Sequence, residues 1–213
     1  MTRLDGSGAG CDETPGCRGC MTSSVGAIHP VQLEIDYSAS LSRWKIFLKW
    51  LMILPNYIVL NLFGIMFSVT TFFSWFAILF TGRYPRSFFG IAESYMRWSA
   101  NVSAYGLLRD EYPPFSGDSG AYEPVKFSLE YPERLNQILI FVKFFALIPN
   151  IIVFWFVLLG AAIVQFVAWW IILFTGKMPL GMHNFLTGTL RWQLRIFAYA
   201  YLLTDKYPPF GLK

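Results

Sequence analysis

The sequence predicts an all-α integral membrane protein built from two tandem repeats. Each repeat holds a transmembrane helix, or a helical hairpin in its place, with amphipathic interfacial helices beside it. Three observations carry this expectation. The chain of 213 residues is 55% hydrophobic and only 14% charged, against roughly 25% charged residues in an average soluble domain. Two stretches, 57–80 (YIVLNLFGIMFSVTTFFSWFAILF) and 151–174 (IIVFWFVLLGAAIVQFVAWWIILF), each run 24 residues without a charge, whereas about 20 such residues suffice to cross a ~30 Å hydrocarbon core. These stretches also occupy corresponding places in an internal duplication.

The duplication is read directly from the residues. At an offset of 94, positions 37–105 align with 131–199 without a gap and share 21 of 69 residues. The matches include Tyr37/Tyr131, Lys49/Lys143, Pro55-Asn56/Pro149-Asn150, Trp75/Trp169 and Arg97-Trp98/Arg191-Trp192. A one-residue insertion shifts the offset to 95, after which Leu-Leu-x-Asp-x-Tyr-Pro-Pro-Phe completes both copies. The chain therefore divides into an N-terminal segment, 1–33, expected to be disordered, a first membrane repeat, 34–115, a linker, 116–124, and a second membrane repeat, 125–213.

The N-terminal segment has no apolar run of signal-peptide type in 21–40, which leaves targeting to the first apolar stretch. Cys11, Cys17 and Cys20 all fall within the first 20 residues. A zinc site would need a fourth ligand, for which His29 is the nearest candidate. The preferred expectation is plainer: Met21 is the true start, and the preceding Gly-rich residues carry no metal.

Within a repeat, 41–54 (LSRWKIFLKWLMIL) sets Lys45, Lys49 and Asn56 near one face and apolar residues on another, the pattern of an amphipathic helix that Pro55 kinks or ends. The long apolar stretch follows. It closes on Thr-Gly-[Arg/Lys]-x-Pro, where Gly82 and Gly176 suit a left-handed helix end, Arg83 and Lys177 suit a helix C-terminus, and Pro85 and Pro179 prevent continuation. A second amphipathic helix is expected over 86–108. Phe88, Ile91, Tyr95, Trp98, Val102 and Tyr105 form its stripe, opposite Gly90, Glu93, Arg97 and Asn101. Its counterpart has Met182, Phe185, Thr189, Trp192, Ile196 and Tyr199, with Arg191 and Arg195 on the polar side. An arginine at the centre of a spanning helix costs roughly 2.5–3.5 kcal/mol on insertion scales, so an in-plane helix is the favoured placement. Tyr112, Pro113, Pro114 and Phe115, with Tyr207, Pro208, Pro209 and Phe210, then read as a terminator that stops this helix and anchors its exit.

These combined motifs resemble one known family. Tyr-Pro-Glu-Arg-Leu at 131–135, Pro-Asn-Ile-Ile-Val at 149–153, Leu-Phe-Thr-Gly-Arg-Tyr-Pro at 79–85, Arg-Trp and Tyr-Pro-Pro-Phe are similar to the bacterial membrane proteins grouped as DUF4389. The resemblance runs from about Glu34 to the C-terminus in two copies. It implies a membrane protein without an established activity or catalytic residues. The first repeat departs at 37–41, where Tyr-Ser-Ala-Ser-Leu replaces the fuller motif.

Orientation is left open by charge. From Met21 onward, 3 basic residues precede the first span, 7 lie in 81–150 and 5 follow 174. Single spans would give the repeats opposite orientations; hairpins turning near 61–64 would give them the same one. Chemistry is equally sparse. Gly117-Asp118-Ser119-Gly120 occurs once, in the linker, and His29 and His183 stand in no triad context. No cofactor and no metal site are expected, and nucleic acid is not a partner, because the cations border apolar spans.

The expected function is a non-enzymatic module of the cell membrane, multi-pass, that organises lipid or a partner complex. A small oligomeric transporter or channel and a lipid-modifying enzyme are the alternatives. Expected partners are the bilayer, with anionic lipid favoured, and a membrane protein or a second copy. The candidate headgroup and interface residues are Lys45, Lys49, Arg83, Arg97, Trp98, Lys143, Lys177, Arg191, Trp192 and Arg195.

Overall fold

The computed structural model describes residues 29–38, 41–137 and 139–212. Cys11, Cys17 and Cys20 lie outside them. The order is β1 (Val31–Ile35), α1 (Lys45–Thr81), α2 (Arg86–Leu107), β2 (Val125–Leu129), α3 (Leu139–Thr175) and α4 (Leu180–Ala200).

The two strands correct the all-α expectation. Both VQLEI and VKFSL alternate apolar and polar residues, and both bury every second side chain, which is the period of a half-covered strand. They pair antiparallel, with Leu33 opposite Phe127. Leu33 and Phe127 are themselves equivalent at the 94-residue offset, so an approximate two-fold axis passes through the middle of the ribbon.

A second correction concerns the long helices. Residues 41–54 do not form a separate helix, and no hairpin turns near 61–64. Instead α1 and α3 each run unbroken for 37 residues through Pro55 and Pro149. Proline costs one backbone hydrogen bond there; the packing described below holds the helix together across it.

Each long helix is followed by a shorter one that runs back along it. Phe67 stacks on Tyr95 with ring centroids 4.5 Å apart, Asn56 bonds Trp98, and Met52 meets Tyr105. Positions that rise along α1 therefore meet positions that fall along α2, so α2 lies parallel to the length of α1 rather than across its end. Its burial is also two-sided. Trp98 and Val102 pack with Leu60 of α1, while Phe89, Ala92, Met96, Ala100 and Ala104 join the main core with the strands and α4. Asn101, expected on the polar face, is buried.

The repeats are exchanged at their ends. The Leu41 N–H donates to Gly176 O at 2.9 Å and the Leu135 N–H donates to Gly82 O at 3.0 Å. The Tyr37 hydroxyl donates to Met178 O at 2.6 Å, and the equivalent Tyr131 hydroxyl donates to Tyr84 O. The start of each long helix thus abuts the end of the other, and α1 and α3 are antiparallel. Gly82 and Gly176 hold φ of 68° and 69°, a left-handed conformation that turns each chain out of its helix.

Three layers result: α1 and α3 outermost, α2 and α4 in the middle, and the ribbon on the far side. Leu33 O accepts from Arg191 of α4, the Tyr37 ring meets His183 of α4, and Tyr131, two residues beyond β2, packs edge-on against Phe89 of α2. The outward face of the ribbon carries Gln32, Glu34, Lys126 and Ser128, with Glu34 opposite Lys126. Unlike charges across a strand pair support one another.

Helices α2 and α4 end at Leu107 and Ala200, several residues before the Tyr-Pro-Pro-Phe motifs. The prolines do not stop them. The chain leaves α4 through Leu202, at φ 62°, and the tetrapeptides then fold back onto their own long helices. Beyond the first motif, Gly117 passes so close to α2 that an added Cβ would lie 2.2 Å from Ser94 O, whereas Gly90 has nothing within 4 Å of such an atom. Gly90→Ala is therefore expected to stabilise the fold by about 0.5–1 kcal/mol through helix propensity. Gly117→Ala is expected to destabilise it by roughly 1–3 kcal/mol through overpacking. Thermal unfolding of the two variants in detergent measures both signs.

Candidate functional site

The polar groups shared by both repeats gather into two matching clusters at the starts of the long helices. In the first, Lys49 Nζ lies 2.8 Å from Asp110 Oδ1, and the other carboxylate oxygen accepts the Ser42 N–H at 2.5 Å. The Tyr105 ring sits 5.8 Å from the same ammonium. In the second, Lys143 Nζ lies 2.7 Å from Asp205 Oδ1 and donates to Thr204 O, the Asn136 N–H donates to Asp205 Oδ2, and the Tyr199 ring lies 4.9 Å away. Burial pulls both lysines below their ordinary value of 10.5, and the facing carboxylates pull them back up. Each cluster is thus a desolvated ion pair that ties the end of one helix to the start of another.

Beside each pair is a second clasp. Asn56 accepts from Trp98 Nε1 at 3.0 Å and donates to Pro113 O at 3.2 Å. Asn150 does the same with Trp192, at 3.1 Å, and Pro208 O, at 2.9 Å. Both asparagines are fully buried. One side chain thereby joins the long helix, the short helix and the Tyr-Pro-Pro-Phe segment. Tyr112 packs against Tyr105 and Tyr207 against Tyr199, while Phe115 and Phe210 remain exposed. The repetition of Asn56 and Trp98 was visible in the sequence, but nothing in their spacing said that they touch.

The headgroup candidates separate into two sets. Lys49, Arg97, Lys143 and Arg191 are committed inside the molecule. Arg97 pairs with Glu93 and donates to Gly117 O at 2.9 Å, and Arg191 donates twice to Leu33 O. Trp98 and Trp192 are buried, and Arg195 is half-buried, with its guanidinium pulled below its ordinary value by desolvation and by neighbouring Arg191. Lys45, Arg83 and Lys177 are exposed. They belong to two groups of exposed cations at the ends of the long helices. Arg43, Lys45 and Lys177 lie at one end, and Arg83, Arg86 and Arg134 at the other. Pro85 and Pro179 stand directly before α2 and α4 in extended conformation.

Family comparison adds one result. The model of a domain of unknown function, DUF4389, matches residues 43–117 and again 138–211. The chain belongs to the DUF4389 family. No curated protein and no solved structure matches it. Both matched segments open at the entry to a long helix and close just past Tyr-Pro-Pro-Phe. The DUF4389 unit is thus one long helix, one short helix and the segment that the buried asparagine clasps, and the strands lie outside it. Among the described residues, no group of three or more His, Cys, Asp or Glu side chains is placed to hold a metal ion. Ser119 is exposed in the 116–124 segment, whereas His183 is buried beneath Tyr37.

The clasped ion pairs yield a signed expectation. Lys143 is the more buried lysine, at 3% exposure, so Asp205→Asn leaves an ammonium without its partner and costs about 3 kcal/mol. Without the carboxylate, the folded-state value of Lys143 falls further below 10.5. The unfolded chain then holds more protons across the window between that lowered value and 10.5, and stability rises with pH through it. Unfolding midpoints of the Asp205→Asn variant in detergent should therefore recover toward those of the parent chain as pH increases across that window. A deficit that stays constant would assign the loss to the Asn136 contact instead.

Proposed function

We propose that this DUF4389 chain is a non-enzymatic membrane module that lies in one face of the cell membrane and organises the lipid around it. The observation that carries the reading is the order of its layers. α1 and α3 each bury one narrow stripe, at 56, 60, 67, 70, 74 and 78 in α1 with Ile53 and Phe63 half-buried beside it, and turn most of the remaining circumference outward. That outward surface includes Leu51, Tyr57, Leu62, Phe72, Phe80, Trp155, Phe156, Ile163 and Phe174. Only 22% and 11% of the most apolar windows are buried, which a soluble core helix would not tolerate. On the opposite face the ribbon presents Gln32, Glu34, Lys126 and Ser128.

Magnitudes favour a flat placement over a crossing. The apolar parts, Leu51–Thr81 and Phe145–Thr175, hold 31 residues each, or about 46 Å at ~1.5 Å per residue. A hydrocarbon core is ~30 Å thick and helix tilts reach about 40°; at that tilt the helix still spans roughly 35 Å. A crossing would also carry the ribbon to mid-membrane depth, with its charged face in lipid. With α1 and α3 in the plane, the ribbon faces water and both groups of exposed cations reach headgroups. Their presence at both helix ends fits this better than the charge bias that accompanies crossing. Polar side chains on the outward faces satisfy themselves. Asn61 donates to Tyr57 O, Ser68 to Gly64 O, and Thr81 and Thr175 to Ala77 O and Ile171 O.

A multi-pass arrangement is the second reading, favoured by the antiparallel order of α1 and α3, which is that of an inverted duplication. In it the polar ribbon face would be covered by a second copy. Cysteines placed at Arg43 and Arg83, in a chain with Cys11, Cys17 and Cys20 changed to serine, distinguish the two. Labelling of intact cells with a membrane-impermeant maleimide should modify both positions equally or protect both equally. Labelling of one position alone would establish crossing. Release of the chain from membranes by alkaline carbonate would overturn both.

A further inference from the structure

The approximate two-fold axis makes two equivalent seams, each where one repeat's helices meet the other's, and the two are filled differently. In one seam, Phe67 stacks on Tyr95 and meets Tyr201 edge-on at 4.6 Å, and Phe197 packs on Tyr201 at 6.1 Å. At the equivalent positions of the other seam, Phe67 becomes Ala161, Tyr95 becomes Thr189 and Phe197 becomes Ser103, and Gly106 lies at the point where the second repeat inserts its extra residue, beside Tyr201. All four smaller residues line one cavity of about 780 Å³. That volume lies within the ~300–1,000 Å³ typical of small-molecule sites. A duplicated fold has thus emptied one seam by exchanging aromatic residues for small ones.

The walls indicate the occupant. They are mostly apolar, and Ala162 and Phe166 of α3, exposed on its outer surface, form part of the rim. The mouth therefore opens on the same apolar face that α1 and α3 present to lipid. Lys49 reaches the wall with its charge already matched by Asp110, so no free charge calls for a phosphate. Gln165 also lines the cavity, and its buried Oε1 has no hydrogen-bond partner among the described residues. An ester carbonyl can only accept, and the side-chain N–H groups of Gln165 and Gln193 on this wall are the donors that suit it.

We propose that this seam is a binding site for one acyl chain of a membrane phospholipid, with the ester region of the lipid at Gln165 and Gln193 and the chain along Ala161, Leu158 and Leu190. The site rests on the membrane reading above and gives it a specific ligand. The test uses the full chain reconstituted in dioleoylphosphatidylcholine vesicles, extracted in mild detergent and weighed intact by native mass spectrometry, with vesicle flotation run in parallel. The parent chain should retain one phospholipid. Ala161→Phe, which restores the residue of the filled seam, should lower that occupancy by roughly tenfold or more while floating as before. Ser103→Phe carries the same expectation from the opposite wall, in case the first variant does not fold. Gln165→Leu should retain less lipid than the parent at unchanged flotation. Equal retention by the parent and a folded, cavity-filled variant overturns the site. A parent chain that floats but retains no phospholipid also overturns it and leaves the membrane reading intact. Failure of the parent to float overturns the membrane reading itself.

Discussion

Everything else in this fold depends on the exchange between the repeats. Each long helix ends on a glycine turn whose carbonyl is taken by the N–H of the other repeat's entry, Leu41 to Gly176 and Leu135 to Gly82. Each entry tyrosine, Tyr37 or Tyr131, donates into the same turn of the opposite copy. Helix ends leave carbonyls without intrahelical partners, and here the partner comes from a position remote in sequence. Each repeat's glycine turn is completed by the entry of the other. A two-stranded ribbon of five residues per strand is marginal alone, and each strand finds its pair only in the equivalent strand of the other copy. The two copies are therefore joined by contacts at both ends and through the ribbon as well as by the 116–124 segment.

That exchange sets the order of polarity. Because α1 and α3 are held antiparallel, α2 and α4 fill the space between them and the ribbon, and the less apolar helices become the interior. In water this order would be unstable, since a large apolar surface would remain exposed while two lysine–aspartate pairs and two asparagines lie buried. In lipid it is coherent. Outer side chains lose nothing there, and the interior is held by hydrogen bonds and ion pairs that have no better partner. The Asn–Trp–Pro clasps and the Lys–Asp pairs are the contacts that an apolar surround would select.

Much of this was legible in the residues, for identifiable reasons. The repeat, the two apolar helices and the glycine ends are written in local signals: charge-free length, a Gly after the last apolar turn, a Pro beyond it. The strands were missed because five alternating residues are a weak signal. VQLEI also fell across the boundary of the segment 1–33 expected to be disordered, and its pairing depends on VKFSL, 94 positions later. Pro55 pointed to a kink or an end, and the helix does not end there, because packing through Asn56 outweighs the cost of one missing N–H. The amphipathic stripe of 86–108 was real on one side only. Phe89, Met96 and Ala104 form a second buried face, and a helix covered on two sides cannot show a single polar surface. Arg97 and Arg191 looked available for headgroups because no sequence pattern revealed the carbonyls of Gly117 and Leu33 that receive them.

Duplication makes the remaining differences between the copies informative. Positions under a common structural constraint have kept their identity: Lys49/Lys143, Asn56/Asn150, Trp98/Trp192 and Asp110/Asp205 each perform the same contact twice. Where equivalent positions differ sharply in volume, the shared architecture no longer dictates the residue. Phe67 against Ala161, Tyr95 against Thr189 and Phe197 against Ser103 are three such differences, and all three fall on one pair of seams. Changes of that size made independently would leave scattered voids, each costly because its lining loses dispersion contacts. Concentrated on one side, they instead produce a single opening continuous with the outward apolar surface of α3. The filled seam shows how the fold packs with aromatic rings, and the open seam shows that the same architecture stands without them.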